Sequence, residues 1–283
     1  MVISHRGLVL ATLAAAGVWA AVELRLDPRD LIPGEGGLNL AREFLARAVT
    51  PALSYEAPDV PEGTIPLLLK AAEAARLTVV FAAAAISLSL LCGGVLGFLA
   101  STAWWAGEQS GRQSRVGPLR AGPVIYGTAR CVIALMRSIH ELLWAVLLLA
   151  AFGLSQLSAV VAIAIPYSGI FAKVFSEMLD EAPRDAALAL RSAGASPAQV
   201  FLFGLLPRAL PDMSAYAFYR FECALRSSAV LGFFGFPTLG YYIAASFENL
   251  YYGEVWTYLY TLILLVVAAD WWSGALRKRL VTA

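Results

Sequence analysis

The sequence is short of charge, and this scarcity removes whole classes of protein. Only 14% of its 283 residues are charged, whereas 59% are hydrophobic, which is far more apolar than the core of a soluble domain requires. The formal net charge of +1 gives no basic excess, so no nucleic-acid partner is predicted. A lipid bilayer is the solvent that fits this composition.

Cysteine, histidine and lysine are also scarce. Neither the three cysteines nor the two histidines have the paired spacing of a disulfide framework or a metal site, so we interpret the cysteines as small buried hydrophobes and predict no metal: Cys92, Cys131, Cys223, His5 and His140. None of the lysines follows a glycine, namely Lys70, Lys173 and Lys278. This excludes the phosphate-binding loop of a nucleotide hydrolase.

Long apolar runs predict an all-α, polytopic membrane protein with six spans, because a spanning helix needs ~20 mainly apolar residues. The runs cover residues 7–24, 67–100, 124–154, 157–175, 210–231 and 255–272. The loop 101–122 is rich in arginine and the end of the chain is basic, so both segments are predicted to lie on the cytoplasmic side of the membrane. Both termini are therefore expected in the cytoplasm, with the protein in the cytoplasmic (inner) membrane.

Changes in composition divide the chain into three parts. Residues 1–24 predict a retained anchor helix, with a cleaved signal peptide as the alternative. Residues 25–65, rich in proline and acidic residues, predict an external loop whose amphipathic helix over 38–49 lies on the membrane or on the protein. Residues 66–283 predict a core of five spans. Close helix packing is expected at three glycines of its first span, Gly93, Gly94 and Gly97.

The segment 185–207 predicts two short helices joined by a glycine. Good helix formers fill 185–193, Gly194 can end them in a left-handed conformation, and Ser196 with Pro197 can start a second helix. Pro207 and Pro211 are expected to stop that helix before the membrane.

This segment resembles the coupling-helix signature of ABC importer permeases of the binding-protein-dependent type I (MetI-like) superfamily. An alanine-rich helix is followed by a glycine, an alanine and a Leu-Pro whose proline lies thirteen residues after the glycine. The resemblance implies contact with an ATPase through Asp185, Leu188, Ala189, Arg191, Gly194, Ala195, Leu206 and Pro207. The family's usual glutamate six residues before the glycine is Leu188 here, so its ionic contact is expected to be lost or moved to Asp185 or Glu181.

Segments 137–145 and 219–232 resemble the phosphonate-type permeases of this superfamily. His140 replaces a proline that is usual at its position, and 235–240 is bulkier than the usual glycine-rich turn. The resemblance implies transport of a phosphonate or related small phosphorus oxyanion. It also implies two copies of an ABC ATPase that bind ATP and Mg, a second copy of this permease, an external solute-binding protein and surrounding lipid. No cofactor is expected on this chain itself.

Ionisable residues inside predicted spans are costly and therefore functional candidates: Arg130, Arg137, Glu141, Arg220, Glu222 and Arg226. Arg137 with Glu141, and Glu222 with Arg226, are four residues apart, so each pair is expected to share a helix face and neutralise itself. One interpretation is structural salt bridges. The other is a pathway in which the surplus arginines, Arg130 and Arg220, attract an oxyanion through their forked donors.

Other functions stay open. A zwitterionic amine could bind an aromatic cluster, although aromatics at a span end are more typical of an interfacial belt: Phe233, Phe234, Phe236, Tyr241 and Tyr242. An intramembrane transferase would use His140 and Glu141 as acid and base, but neighbours on a helix do not face each other. A structural membrane scaffold is the third alternative.

Overall fold

A computed structural model describes residues 5–27, 34–103 and 121–281, and every regular element in these ranges is a helix. The chain forms two compact units, Met1–Thr50 and Pro51–Ala283. This all-helical architecture confirms the predicted fold class.

The first unit contains two helices, α1 (His5–Glu23) and α2 (Glu35–Val49). The stretch Arg6–Glu23 of α1 is long and apolar enough to cross a membrane, and none of it is buried. Helix α2 begins three residues before the predicted amphipathic helix and carries Arg47 in its last turn. Whether α1 anchors the chain stays a prediction.

The second unit contains the remaining helices: α3 (Leu67–Leu99), α4 (Ala121–Ser138), α5 (Glu141–Phe152), α6 (Gln156–Glu181), α7 (Asp185–Ser192), α8 (Leu206–Val230), α9 (Leu239–Glu248) and α10 (Tyr252–Val281). A short turn, Pro197–Gln199, and a π-helix, Val200–Leu205, lead into α8. A 3₁₀ turn, Leu231–Phe234, follows it.

Among the described helices, α1, α3, α6 and α10 are each long and apolar enough to cross a membrane. The number becomes six when two bent pairs are each taken as one span. These pairs are α4 with α5, bent by 92°, and Val200–Phe234 with α9, bent by 46°. The third predicted run, 124–154, therefore forms two helices that meet at a sharp bend and not one straight helix.

The break between α4 and α5 has a local cause at His140. Its backbone is extended, with φ −67° and ψ 149°, and its Nδ1 accepts a hydrogen bond from the backbone N–H of Leu142 at 3.3 Å. A φ near −65° is the value that a proline ring imposes. His140 therefore keeps the backbone that the family's proline would adopt and adds a side-chain cap to α5.

Helix α6 is the centre of the bundle, since 61% of the residues in its most apolar stretch are buried. Helix α3 packs closely on it through two glycines. A Cβ at Gly93 would lie 2.6 Å from Phe171 Cβ, and a Cβ at Gly97 would lie 3.1 Å from the carbonyl oxygen of Ala172. Gly94 has no such neighbour within 4 Å, so two of the three predicted packing glycines perform that role.

The interpretation of the cysteines as buried hydrophobes is wrong for Cys131, which is exposed, and only partly right for Cys92 and Cys223, which are half-buried.

A reciprocal pair of carboxylates fastens segment 51–66 to the start of α10. The N–H of Glu56 donates to Glu254 Oε1 at 2.8 Å, and the N–H of Gly253 donates to Glu56 Oε2 at 3.0 Å. The second oxygen of Glu254 accepts from Ser246 Oγ at 3.0 Å. Burial and the nearby charge of Glu254 raise the pKa of Tyr55. We call this arrangement the Glu56–Glu254 clasp.

Candidate functional site

The predicted turn at Gly194 is present. Gly194 has φ +84°, its N–H donates to the carbonyl of Arg191, and the N–H of Ala195 donates to that of Leu190, both at 3.0 Å. These two bonds form a Schellman motif, which ends α7 by satisfying its last carbonyl groups.

Ser196 and Gln199 then start the second helix as a capping box. The N–H of Ser196 donates to Gln199 Oε1 at 2.8 Å, and the N–H of Gln199 donates to Ser196 Oγ at 3.4 Å. Each side chain satisfies a backbone donor that the helix leaves free. The local chemistry that the sequence predicted therefore forms on both sides of Gly194.

The prediction that Pro207 and Pro211 stop this helix is wrong. Helical structure continues from Pro197 to Val230, and both prolines lie within it. In the π-helical turn the N–H of Leu206 reaches back to the carbonyl of Phe201. Pro207 consequently stands in the first turn of α8, where a missing N–H is tolerated.

Buried contacts fix the segment 185–207, which we call the 185–207 module, against the bundle. A Cβ at Gly204 would lie 3.1 Å from Ala187 Cα, so only glycine allows the two helices this approach. The ring of Phe201 meets that of Phe98 on α3 edge-on, with 4.9 Å between ring centroids. Leu179, at the end of α6, is buried in the same cluster.

The opposite face of the module has no neighbour within the described part of the second unit. The predicted ATPase-contact residues are exposed, except for Ala195 and Leu206, which are half-buried: Asp185, Leu188, Ala189, Arg191, Gly194 and Pro207. Leu188 is 57% exposed, and Glu181 is also exposed. The module thus presents an apolar side chain where the family usually has a carboxylate.

Both predicted pairs of intramembrane charges are wrong. The helix break at His140 separates Arg137 from Glu141, and no ion pair joins these two side chains in the structure. Glu222 binds Arg277 of α10 instead, at 3.3 Å, while Arg226 lies 3.6 Å from Cys223 Sγ. The predictions failed because helical spacing ignores a break and a better-placed partner on another helix.

Arg130 is not a surplus charge. Its Nη2 lies 4.0 Å from Asp180 Oδ2 at the end of α6. The other oxygen of Asp180 accepts from Ser101 Oγ at 2.7 Å and from the N–H of Ala103 at 2.9 Å. Asp180 therefore joins the end of α6 to the middle of α4 and to the residues that follow α3, a role that no sequence spacing indicated.

Arg220 belongs to a polar network that joins three helices. Its guanidinium carbon lies 4.6 Å from the ring centroid of Tyr167. The hydroxyl of Tyr167 lies 3.1 Å from Ser227 Oγ, which donates to Glu141 Oε1 at 3.0 Å. We call Glu141, Tyr167, Arg220 and Ser227 the Arg220 network.

Sequence reasoning missed Tyr167 and Ser227. Ser227 lies seven residues after Arg220, which is two helical turns and thus the same face of α8, so this signal was available. Tyr167 had none, because its position beside Arg220 depends on how α6 packs against α8.

His140 and Glu141 do meet, contrary to the expectation from helical geometry. Nε2 of His140 lies 3.4 Å from Glu141 Oε2, because His140 precedes the helix as its cap. Nδ1 of His140 accepts the Leu142 hydrogen bond, so a neutral imidazole carries its proton on Nε2, toward Glu141.

The family model for the binding-protein-dependent transport system inner membrane component matches residues 114–282. The chain is 36% identical over 159 residues to the phosphite transport system permease protein PtxC of Stutzerimonas stutzeri, covering 55% of this chain and 57% of PtxC. It is 30% identical over 159 residues to the phosphate-import permease protein PhnE of Mycolicibacterium smegmatis, covering 56% of this chain and 30% of PhnE.

Two solved structures share the fold. The inward-facing MetNI methionine ABC transporter matches with a TM-score of 0.62 and 20% identity, over 77% of this chain and 99% of that one. An amino acid ABC transporter matches with a TM-score of 0.60 and 16% identity, over 76% and 99%. The family match covers more than half of the sequence, and so the chain belongs to the family of binding-protein-dependent transport system inner membrane components.

Proposed function

We propose that this chain is the membrane-spanning permease subunit of an ATP-driven importer that carries a phosphonate or related small phosphorus oxyanion across the inner membrane. The names of PtxC and PhnE, which refer to phosphite and phosphate, support this cargo. The alignments cover only 57% of PtxC and 30% of PhnE. The cargo and the partners of this chain are therefore part of the proposal.

The exposed face of the 185–207 module is the observation that carries the proposal. Its buried side is fixed to α3 and α6, so a force applied to the exposed face reaches the spanning helices. An ABC ATPase that binds ATP and Mg would dock there on the cytoplasmic side, and two copies of it would serve the two permease copies. Leu188 would make an apolar contact in place of the family's ionic one.

A second copy of this chain would complete the pathway, and an external solute-binding protein would deliver the cargo. Both termini would lie in the cytoplasm. Transport would alternate between outward- and inward-facing states, and nucleotide would shift their populations by binding one state more tightly. The Arg220 network would then line part of the route.

The test is solute-stimulated ATP hydrolysis by a complex of this chain with its ABC ATPase and solute-binding protein, reconstituted in liposomes. Phosphonate, phosphite, phosphate and a betaine would be offered separately. Stimulation by a phosphorus oxyanion is expected. Stimulation by the betaine alone would keep the importer and discard the cargo, whereas no stimulation by any solute would contradict both.

The amine alternative loses support at two members of the aromatic cluster, Tyr242 and Phe236, whereas Phe233 and Tyr241 are exposed. The ammonium group of Lys70 lies 4.9 Å from the ring centroid of Tyr242 and 5.2 Å from that of Tyr55. Tyr242 stacks its ring on Tyr258, and Phe236 is buried against Phe81. Side chains of this chain already occupy these aromatic faces.

The contact between His140 and Glu141 is the one observation that favours a transferase, since an acid and a base must be in reach of each other. Assays of the reconstituted chain with and without the ATPase distinguish a permease from a transferase. Group transfer by the purified chain without any ATPase would establish an enzyme, and complete dependence on the ATPase would exclude it.

A further inference from the structure

Within the described part of the chain, Glu141 is linked to Arg220 only through Ser227 and Tyr167 and forms no direct ion pair with it. Arg220 makes neither a hydrogen bond nor an ion pair there, and its Nε is buried without a partner. A guanidinium group stays charged in proteins, and an unpaired one inside a span is costly. The ring of Tyr167 covers one face of the group, which leaves the N–H groups at its edge free to bind an anion.

The hydroxyl groups of the network have no hydrogen left to donate. Ser227 gives its hydrogen to Glu141, so in the contact with Tyr167 it can only accept, and Tyr167 must donate. What remains is one set of donors, on Arg220, and acceptors on Tyr167 and Glu141. A carboxylate has about four lone-pair sites. Ser227 occupies one on Oε1 of Glu141 and His140 Nε2 lies 3.4 Å from Oε2, which leaves sites on both oxygens for a further donor.

A second arginine lies near the same place. Arg137 of α4 lies against α6 at Gly169, where an added Cβ would be 2.9 Å from its Cγ. Arg220 of α8 lies against Tyr167 of the same helix, so two arginines approach α6 within one helical turn. The local excess of positive charge favours an anion, while Glu141 opposes an anion that has no hydrogen to share.

From these contacts we propose that the Arg220 network binds the oxyanion inside the permease and selects one that carries a hydroxyl group. This inference rests on the proposed function. An anionic oxygen of the cargo binds the guanidinium of Arg220, and its P–OH donates to Glu141. Phosphite and phosphonates in their singly protonated form satisfy both contacts. Sulfate has the same shape but no hydrogen, and its oxygen would face the carboxylate unpaired.

The test measures binding to the permease–ATPase complex in phosphatidylcholine nanodiscs, without the binding protein, by thermal shift. Sodium phosphite is expected to raise the melting temperature, and sodium sulfate at equal concentration and ionic strength is not. Glu141→Gln places a donor where the acceptor was, so it should reduce the preference for phosphite over sulfate by about tenfold. Arg220→Gln removes the donors of the anionic oxygen, so it should weaken phosphite binding by a similar factor.

Matched controls come from an exposed ion pair on α3. Arg76→Gln and Glu73→Gln make the same chemical changes at side chains that are 64% and 53% exposed, and they should leave both anions unaffected. Variants whose elution on size exclusion differs from the native complex would be set aside, because the phosphite-to-sulfate comparison on the native complex is decisive alone.

Equal stabilisation by phosphite and sulfate, or by neither, would overturn the inference. A lipid phosphodiester as the occupant of Arg220 would give the second result, because it would exclude both salts. If solute-stimulated ATP hydrolysis with the binding protein nonetheless persisted, and Arg220→Gln did not change it, the proposed function would stand and the internal site would fall.

Discussion

At the scale of single residues, a position can require glycine for its backbone conformation or because a neighbour leaves no room for a Cβ. Gly194 has φ +84° and no heavy atom within 4 Å of an added Cβ. The requirement there is conformational, because the left-handed region costs about 1–2 kcal/mol for a residue with a side chain. The residue sits between the two helices of the 185–207 module, where such strain would tilt one relative to the other.

We therefore expect Gly194→Ala to lower the number of solute molecules transported per ATP, and Gly194→Trp to abolish transport while membrane insertion remains normal. The measurement is uptake together with ATP hydrolysis in proteoliposomes. Gly63→Ala is the control, because Gly63 has φ +90° and equally open surroundings but lies in segment 51–66. Native transport by Gly194→Trp would refute the coupling role.

At the scale of elements, glycine serves packing where α3 crosses α6. Gly97 faces the backbone of Ala172 at 3.1 Å from an added Cβ, whereas Gly94, three residues earlier, faces open space. A helix shows one face to its neighbour and another to the surroundings. Gly97 lies on the face of α3 that packs against α6, and Gly94 lies on the other face.

Gly97→Leu should force α3 away from α6 and destabilise the protein by about 1–3 kcal/mol, the usual cost of overpacking a buried contact. Gly94→Leu should be tolerated and can even improve helix propensity. Thermal unfolding of the purified protein in detergent compares the two. Equal melting temperatures for both variants would show that α3 and α6 do not pack through this face.

A second prediction at this scale concerns the stability of variants at the break between α4 and α5. His140→Pro should change the free energy of unfolding by less than about 1 kcal/mol, because proline fits φ −67° and stiffens the unfolded chain while the loss of the cap costs a similar amount. Val146→Pro, in the interior of α5, should cost about 3 kcal/mol or more. Chemical denaturation checks both, and a large loss for His140→Pro would place the break elsewhere.

At the scale of the whole molecule, the Glu56–Glu254 clasp joins segment 51–66 to residues about two hundred positions later. Glu254 is 5% exposed, and its carboxylate accepts both the N–H of Glu56 and the hydroxyl of Ser246. Removing a buried acceptor leaves its donors unsatisfied, which costs about 1–3 kcal/mol for each.

Glu254→Ala should release segment 51–66 from the start of α10. The N–H of Ala52 donates to the carbonyl of Gly253 at 3.1 Å. Hydrogen exchange at the amides of Ala52 and Glu56 should then accelerate, while amides at the centre of α6 keep their protection. Glu248→Ala removes an exposed carboxylate from the end of α9 and should change neither. Unaltered exchange at Ala52 and Glu56 in Glu254→Ala would contradict the clasp.

Predictions from the sequence succeeded where the cause is local. The apolar runs placed the helices of the bundle, and the residue types at Gly194 and Ser196 predicted both the turn and the cap that follows it. Such features depend on side chains within four residues, which a sequence displays directly. The Leu-Pro motif likewise identified the module, although not its continuous helix, because the π-helical turn that accommodates Pro207 has no sequence signature.

What only the tertiary structure decided is the partner of each intramembrane charge. Glu222 binds Arg277, 55 positions away, Arg130 approaches Asp180, and Arg220 stacks on Tyr167. Spacing along one helix predicted different pairs, because it cannot include a helix break or the rotation of a neighbouring helix. The sequence by itself determined that these charges lie in a bilayer and need partners, whereas the packing of α4, α6, α8 and α10 determined which partners they have.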